Sequence, residues 1–253
     1  MKDFPILEFD EDRNSFIKPQ NIVERQDIAE CCVLCFFAEA IETILSEYEH
    51  RIITYFHTES FNPPVYELTF KRKKVVLIQA GVGAPTAAGQ IEDLVALGCK
   101  KFIVCGSCGV LEKEIAVEHL IIPTSAVRDE GTSYHYVAPS REMIADNLAL
   151  QSIENILNLN FVPYIKAKTW TTDAFYRETI GKIKQRKSEG CVTVEMEASA
   201  YMAVAQYLGV TLGQILYAGD NLGGDIWDSR EFTKRSEVRE FVLRLALDSA
   251  LAL

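Results

Sequence analysis

Residues 75–111, VVLIQAGVGAPTAAGQIEDLVALGCKKFIVCGSCGVL, decide the fold. Val75–Ala80 is an unbroken apolar run rich in β-branched residues, the pattern of a strand buried on both faces. Gly81-Val82-Gly83-Ala84-Pro85 then turns the chain. Thr86–Leu97 reads as a helix, and Gly98 stands where a left-handed cap closes it. Lys101–Cys105 is a second buried strand, running into Gly106-Ser107-Cys108-Gly109, which reads as a second glycine turn. A strand, a helix and a strand in so short a span form a βαβ unit. Two glycine turns at neighbouring strand ends would share one edge of the sheet, where ligands bind in α/β folds.

Outward from this unit the alternation continues. Ile28 to Tyr48 carries apolar pairs four residues apart (Ile28/Ala29, Cys32/Val33, Phe36/Phe37, Ala40/Ile41 and Ile44/Leu45) and predicts one amphipathic helix. Leu120–Val127 is strand-like, with Pro123 marking an edge or a bulge. Ser140–Leu157 reads as a helix, Val162–Thr169 and Val192–Glu195 as strands, and Glu197–Leu208 as a helix ending at Gly209. Leu212–Tyr217 is an apolar strand leading into Ala218-Gly219-Asp220-Asn221, and Glu231–Ala252 is a long C-terminal helix. No repeat or Pro/Gly/Ser linker divides the chain. The expectation is a single α/β domain over residues 1–253: a three-layer sandwich with a central mixed, largely parallel sheet flanked by helices.

Composition narrows the function. The 253 residues carry 36 acidic and 26 basic side chains, a net charge of −10, so there is no basic footprint for nucleic acid. An anionic substrate would need a local cationic pocket. The densest apolar run, Cys31–Ala38, is bracketed by Glu30 and Glu39 and is far too short to span a membrane. The N-terminal MKDFPILEFDEDRN lacks the pattern of a signal peptide, so a cytoplasmic location with seven reduced cysteines is expected.

The glycines and cysteines have competing readings. Gly81, Gly83 and Gly89 do not make a dinucleotide fingerprint: Thr86 stands where a glycine is needed, and no acidic residue lies near Val104. They suit either a plain tight turn or close approach of an anion to backbone N–H groups at a helix start. Cys32-x-x-Cys35 and Cys105-x-x-Cys108 superficially resemble zinc pairs, but no histidine accompanies them, and no metal is expected. A cysteine nucleophile lacks a local histidine in the same way.

The 75–111 stretch resembles the nucleoside phosphorylase superfamily, of the uridine/purine nucleoside phosphorylase and nucleosidase type. Three further blocks follow in the family's order: IIPTSAVRDEGTSYHY at 121–136, WTTDAFYRET at 170–179 and VTVEMEASAYMAVAQYLGV at 192–210. The likeness runs over about residues 45–245, and Val194-Glu195-Met196-Glu197-Ala198 is its most specific piece. It implies an enzyme that cleaves the N-glycosidic bond of a nucleoside. That chemistry needs a clamp on the ribose hydroxyls, a proton for the departing base, and a nucleophile held in line.

On this resemblance Met196 and Glu197, with Glu195 beside them, bind ribose; a carboxylate offers two acceptors to two vicinal hydroxyls. Phe175, with Tyr176, lines the base pocket. Asp220 matches the acid placed beside N7 in purine-type members and is the expected catalytic residue. Pyrimidine-type members carry a Gln-x-Arg pair after the aromatic; here Arg177-Glu178-Thr179 follows Tyr176, which points to purine. On the phosphate side, the usual Gly-Asp-Pro-x-x-Arg loop is replaced by Ile17-Lys18-Pro19-Gln20-Asn21, and Val104 stands where an arginine is usual. Gly81, Gly83, Ser107 and Arg51, the last reaching into a neighbouring subunit's site, remain as phosphate ligands. Arg128 and Asp129 are further candidates for the pocket.

The implied reaction is phosphorolysis of a purine nucleoside to base and ribose 1-phosphate, with inorganic phosphate as co-substrate and no cofactor. A homo-oligomer is expected, a dimer or trimer of dimers, with no nucleic-acid or membrane partner. Two alternatives stand beside it: a hydrolytic nucleosidase, for which the family's water-activating glutamate motif is missing although Glu8, Glu11 or Glu24 is available, and a nucleoside-sensing module without turnover.

Overall fold

The computed structural model describes residues 4–253. Its ten strands are β1 (Cys31–Cys35), β2 (His50–Tyr55), β3 (Pro64–Phe70), β4 (Lys73–Gln79), β5 (Lys101–Val110), β6 (Leu120–Asp129), β7 (Glu142–Ile144), β8 (Tyr164–Thr172), β9 (Cys191–Glu195) and β10 (Thr211–Asn221). The helices are α1 (Ala38–Glu47), α2 (Ala84–Leu97), α3 (Asn147–Leu159), α4 (Ile180–Ser188), α5 (Ala198–Leu208) and α6 (Ser236–Ala252). All strands join one mixed sheet in the order β10-β6-β8-β9-β5-β1-β4-β3-β2, with β7 on β6. A further pairing of β10 with β5 closes β10, β6, β8, β9 and β5 into a ring, so β5 is flanked by β9, β10 and β1. The other four strands extend the sheet to an edge at β2.

Helices cover both faces. The period-two alternation of the central strands separates the two cores. Val33 and Cys35 of β1, Val75 and Leu77 of β4, and Ile103 and Cys105 of β5 pack with α1, α3 and α6. Cys32, Leu34, Val76, Ile78, Phe102 and Val104 pack with α2 and α5. These strand residues are all fully buried, which explains why the strands read as continuous apolar runs.

Four expectations are corrected. The helix expected over residues 28–48 is a strand followed by a helix: Cys31–Cys35 is β1, between β4 and β5, and helix begins only at Ala38. The supposed second glycine turn is interior to β5, which pairs with β10 through Gly106, Ser107 and Cys108. It therefore does not neighbour the Gly81–Gly83 turn, because β1 lies between β5 and β4. Finally, the helix expected over 140–157 begins at Asn147, capped by the Asp146 carboxylate on the Ala149 N–H at 3.0 Å, and β7 precedes it. The bulge expected at Pro123 is present as a register shift between Pro123 and Ser125 against β8. Among the described residues, no helix is long and apolar enough to cross a membrane.

Candidate active site

The ends of β4, β8, β9 and β10 and the last residues of β5 meet at one place. At the end of β9, Glu195 turns its carboxylate back onto the start of α5. Its Oε2 accepts from the N–H groups of Glu197 (2.7 Å) and Ala198 (2.6 Å), and its Oε1 accepts from the Thr171 hydroxyl at 2.7 Å. The Thr171 oxygen in turn accepts from the Ser199 N–H, and the Ser199 hydroxyl donates to the buried Glu130. Glu195 thus satisfies orphan donors of the helix start and fixes the backbone that presents Met196 and Glu197. Its own oxygens are occupied by the protein.

Glu197 is the buried residue immediately preceding α5. Its Oε1 accepts from the Gly83 N–H at 2.6 Å, which brings the β4–α2 turn and the Glu-Met-Glu segment together. Gly83 has φ +96°, a conformation that a side chain would strain, and this aims its N–H at the carboxylate. Burial, then the charge of Glu195, push the Glu197 carboxyl up to about 8; burial pushes Glu195 up to about 7.

Asp220 closes the other end. Val194 of β9 is the register partner of Gly109 on β5, and Asp220 Oδ1 also lies against that glycine. A Cβ at Gly109 would lie 3.1 Å from Val194 and 3.2 Å from Asp220 Oδ1, so only glycine lets the two strands' side chains converge. Asp220 Oδ2 accepts from the Trp227 indole N–H at 2.7 Å. Trp227 rides on a loop pinned by two backbone hydrogen bonds between Asn221 and Asp228. Phe175 and Tyr176, on a short 3-10 turn after β8, are 52% and 88% exposed with ring centroids 4.1 Å apart, so neither belongs to the core. Glu178, at the end of the same turn, faces Asp220: burial first, then the Asp220 charge, push its carboxyl up to about 7.

The expected phosphate ligands are engaged within the chain. The Gly81 N–H donates to Gln90 Oε1 at 2.8 Å, and the Gly83 N–H serves Glu197. Ser107 faces the Tyr217 phenol, which donates to the Phe232 carbonyl at 2.8 Å. Arg51 lies on the edge strand β2, and its Nε and Nη2 bind Glu67 Oε2 at 2.9 and 2.8 Å. Its guanidinium is 58% exposed, whereas Glu67 is 3% exposed.

One sequence expectation about this side is corrected. Residues 17–21 do not form a loop at a strand end; Pro19–Asn21 is a 3-10 turn ahead of β1, and the connection from β1 into α1 is Phe36-Phe37. Phe36 packs on Gly106, and Phe37 on Tyr217 at 5.6 Å between ring centroids, so the strand end is filled by aromatic rings. Arg128 is buried, and its guanidinium donates to Ser133, Val137, Ala138 and Ser140. Asp129 is held by Trp170, Lys182 and Arg186, so the side chains of both candidates are engaged within the chain. Val104 is fully buried under α2 and α5, where an arginine would have no partner. Cys35 sits opposite Cys105 on the neighbouring strand, and Cys32 beside Cys99, all four buried; desolvation raises the Cys32 and Cys105 thiols.

Sequence reasoning assigned no role to Glu178, Thr171 or Trp227. Glu178 was visible only as a departure from Gln-x-Arg; its closeness to Asp220 exists only once β8 and β10 are in one sheet.

With this geometry, the comparisons are consistent. The family model described as the phosphorylase superfamily matches residues 30–252. A guanosine phosphorylase of Halorubrum lacusprofundi is 28% identical over 185 residues, 71% of this chain and 76% of the relative. A DeoD-type purine nucleoside phosphorylase of Bacillus cereus is 25% identical over 192 residues, 72% of this chain and 78% of the relative. The crystal structure of a purine nucleoside phosphorylase from Toxoplasma gondii in complex with immucillin-H has the same fold, with a TM-score of 0.75 at 18% identity over 92% of each chain.

Proposed function

The chain belongs to the phosphorylase superfamily, and on that premise we propose that it cleaves the N-glycosidic bond of a purine nucleoside, with phosphate as acceptor. The observation that carries this reading is that β9, which leads into Met196 and Glu197, and β10, which carries Asp220, both pair with the last residues of β5. Glu197, with one oxygen on Gly83, has its second oxygen for the ribose hydroxyls; Met196 lies beside it. Asp220 serves the departing base, and the exposed ring of Phe175 stacks on it. The positive charge that grows on the sugar as the bond lengthens favours the ionised form of Glu197, which then stabilises it. Two relatives of matching length named as phosphorylases support phosphate as the acceptor.

A second reading, hydrolysis, has its own support. The N–H groups of Gly81 and Gly83 and two nitrogens of Arg51 already have partners in the chain, so a dianion must compete for them. Product analysis separates the two. With phosphate at millimolar concentration, cleavage is expected to speed up and to yield ribose 1-phosphate, and to run backwards from base and that sugar phosphate. Free ribose formed at the same rate without phosphate would overturn phosphorolysis in favour of water. Binding of nucleoside with no cleavage in either buffer would favour the sensing module.

Arg51 helps only if a second subunit brings its site to the β2 edge. We therefore expect a homo-oligomer in which the exposed guanidinium reaches a neighbour's phosphate. Light scattering at micromolar concentration should give at least twice the chain mass of 28.4 kDa. A monomer would remove Arg51 from the site.

A further inference from the structure

Among the described residues, the Trp227 indole is the sole hydrogen-bond donor to the Asp220 carboxylate, at 2.7 Å on Oδ2. Arg177 and Glu178, on the turn that carries Phe175, make no hydrogen bond or ion pair with it. The loop that brings the indole there is fixed at its feet. Asn221 and Asp228 exchange backbone hydrogen bonds of 2.8 and 3.0 Å, and Asn221 Oδ1 accepts from the Gly223 N–H at 2.9 Å. Gly223 lies flush on the β5–β6 connection, where a Cβ would fall 2.4 Å from the Leu111 carbonyl oxygen. The Arg230 guanidinium donates to the Ile115 carbonyl of the same connection at 2.7 Å. The tip is held otherwise. Gly224, Asp225 and Ile226 make no hydrogen bond or ion pair among the described residues, and the indole N–H is the one polar tie of the segment. Ile226 is 82% exposed and Trp227 63% exposed, so the core does not hold them either.

The place of this hydrogen bond makes it a competitor. Asp220 has one oxygen against Gly109 and the other on the indole. A base reaches Oδ2 only by taking the place of the indole, and the tip that then moves aside has no other hydrogen bond to break. The released indole stays beside the acid, because the feet of its loop do not move with it. It is a large flat ring, and the flat face of a heteroaromatic base is the surface it fits.

We propose that Trp227 is a base-binding residue that works by exchange: in the empty site its N–H holds Asp220 Oδ2, and an arriving purine takes that oxygen while the released ring stacks on the base. The proposal rests on the purine-cleaving reading of the site. The two halves of the exchange act on affinity with opposite signs. The latch lowers it, because only the unlatched fraction of the protein is competent to bind. The stacked ring raises it. A tryptophan that merely braced the loop would act with one sign.

The test is calorimetric titration with a free purine base, hypoxanthine, or adenine where the protein prefers it. Trp227→Phe keeps a ring and has no N–H. It is expected to bind the base roughly 10-fold tighter than the parent, the worth of one hydrogen bond to a charged group. Trp227→Leu has neither ring nor N–H and is expected to bind roughly 10-fold more weakly than Trp227→Phe. Circular dichroism certifies that both variants are folded. Fluorescence gives a second readout. The chain has two tryptophans, and the other, Trp170, is fully buried with its indole on Asp129 at 3.0 Å. Emission of the parent should change as the base saturates it, and the change should vanish in Trp227→Phe although the base still binds. Trp227→Phe binding no tighter than the parent, Trp227→Leu matching Trp227→Phe, or parent emission unchanged at saturation would overturn the proposal. If the unsubstituted protein binds neither base, the purine reading itself falls and takes this proposal with it. If it binds one and Trp227→Phe is unaffected, only the role of Trp227 falls.

Discussion

Glu197→Gln is expected to reduce kcat/KM for ribonucleosides by roughly a hundredfold to ten-thousandfold, from two charge-assisted hydrogen bonds worth about 1.5–3 kcal/mol each. The loss belongs to kcat/KM because the ribose becomes cationic on the way to the transition state, which draws Glu197, protonated in the free enzyme at neutral pH, into its ionised form and strengthens its contacts. Glutamine keeps the shape and can still accept from the Gly83 N–H, so the turn need not move. Substrates lacking the 2′-hydroxyl should lose less. Stability should move the other way. The folded protein holds Glu197 at about 8, against an ordinary 4.5, so it binds a proton that the unfolded chain has released. This contribution is fully present below about pH 4.5 and is lost as pH rises through 8. The variant, which has no charge to bury, should therefore melt higher than the parent at pH 9, with no such gain at pH 4. Scanning calorimetry at both values checks this, and unchanged kcat/KM would remove Glu197 from the ribose site.

The second large effect is expected at Asp220. Asp220→Asn should cut turnover of ordinary purine nucleosides by about 10²–10⁴-fold, the usual worth of general acid catalysis. Asparagine can still accept from the Trp227 indole, so the loop over the site should stay in place. Removing the Asp220 charge also removes one of the two causes that raise Glu178, which should then give up its proton at lower pH. Nucleosides with activated leaving groups should lose far less. Steady-state kinetics on a series of leaving groups reads this out, and equal losses across the series would point to a structural role.

What could be read from the residues alone follows from how each element is buried. β4, α2 and β5 were legible because glycines separate runs of clear period: Gly81 and Gly83 ahead of the helix and Gly98 behind it. β1 was not, because Cys31–Cys35 is apolar on both faces and passes into α1 through Phe36-Phe37, with no glycine or proline to mark the join. The four-residue spacing of α1 then extrapolates backwards over the strand. β2 and β3 have a mixed, partly exposed pattern that gives no clear strand signal. Met196, Glu197 and Asp220 were singled out through the blocks that carry the family resemblance. The occupation of the Gly81 and Gly83 N–H groups was not, because Gln90 and Glu197 meet them only in the folded chain.

The placement of β9 and β10 on either side of β5 has a metrical consequence. Neighbouring strands stand about 4.8 Å apart, so the segments bearing Glu197 and Asp220 are set off by two such spacings, about 10 Å. That interval is a property of peptide hydrogen bonding and is the same whatever side chains the strands carry. The sheet therefore works as a fixed gauge between the strands that lead into those two segments. Changes of preference among ligands have to be written in the loops around the gauge, such as the one bearing Trp227, while the graduation itself stays constant.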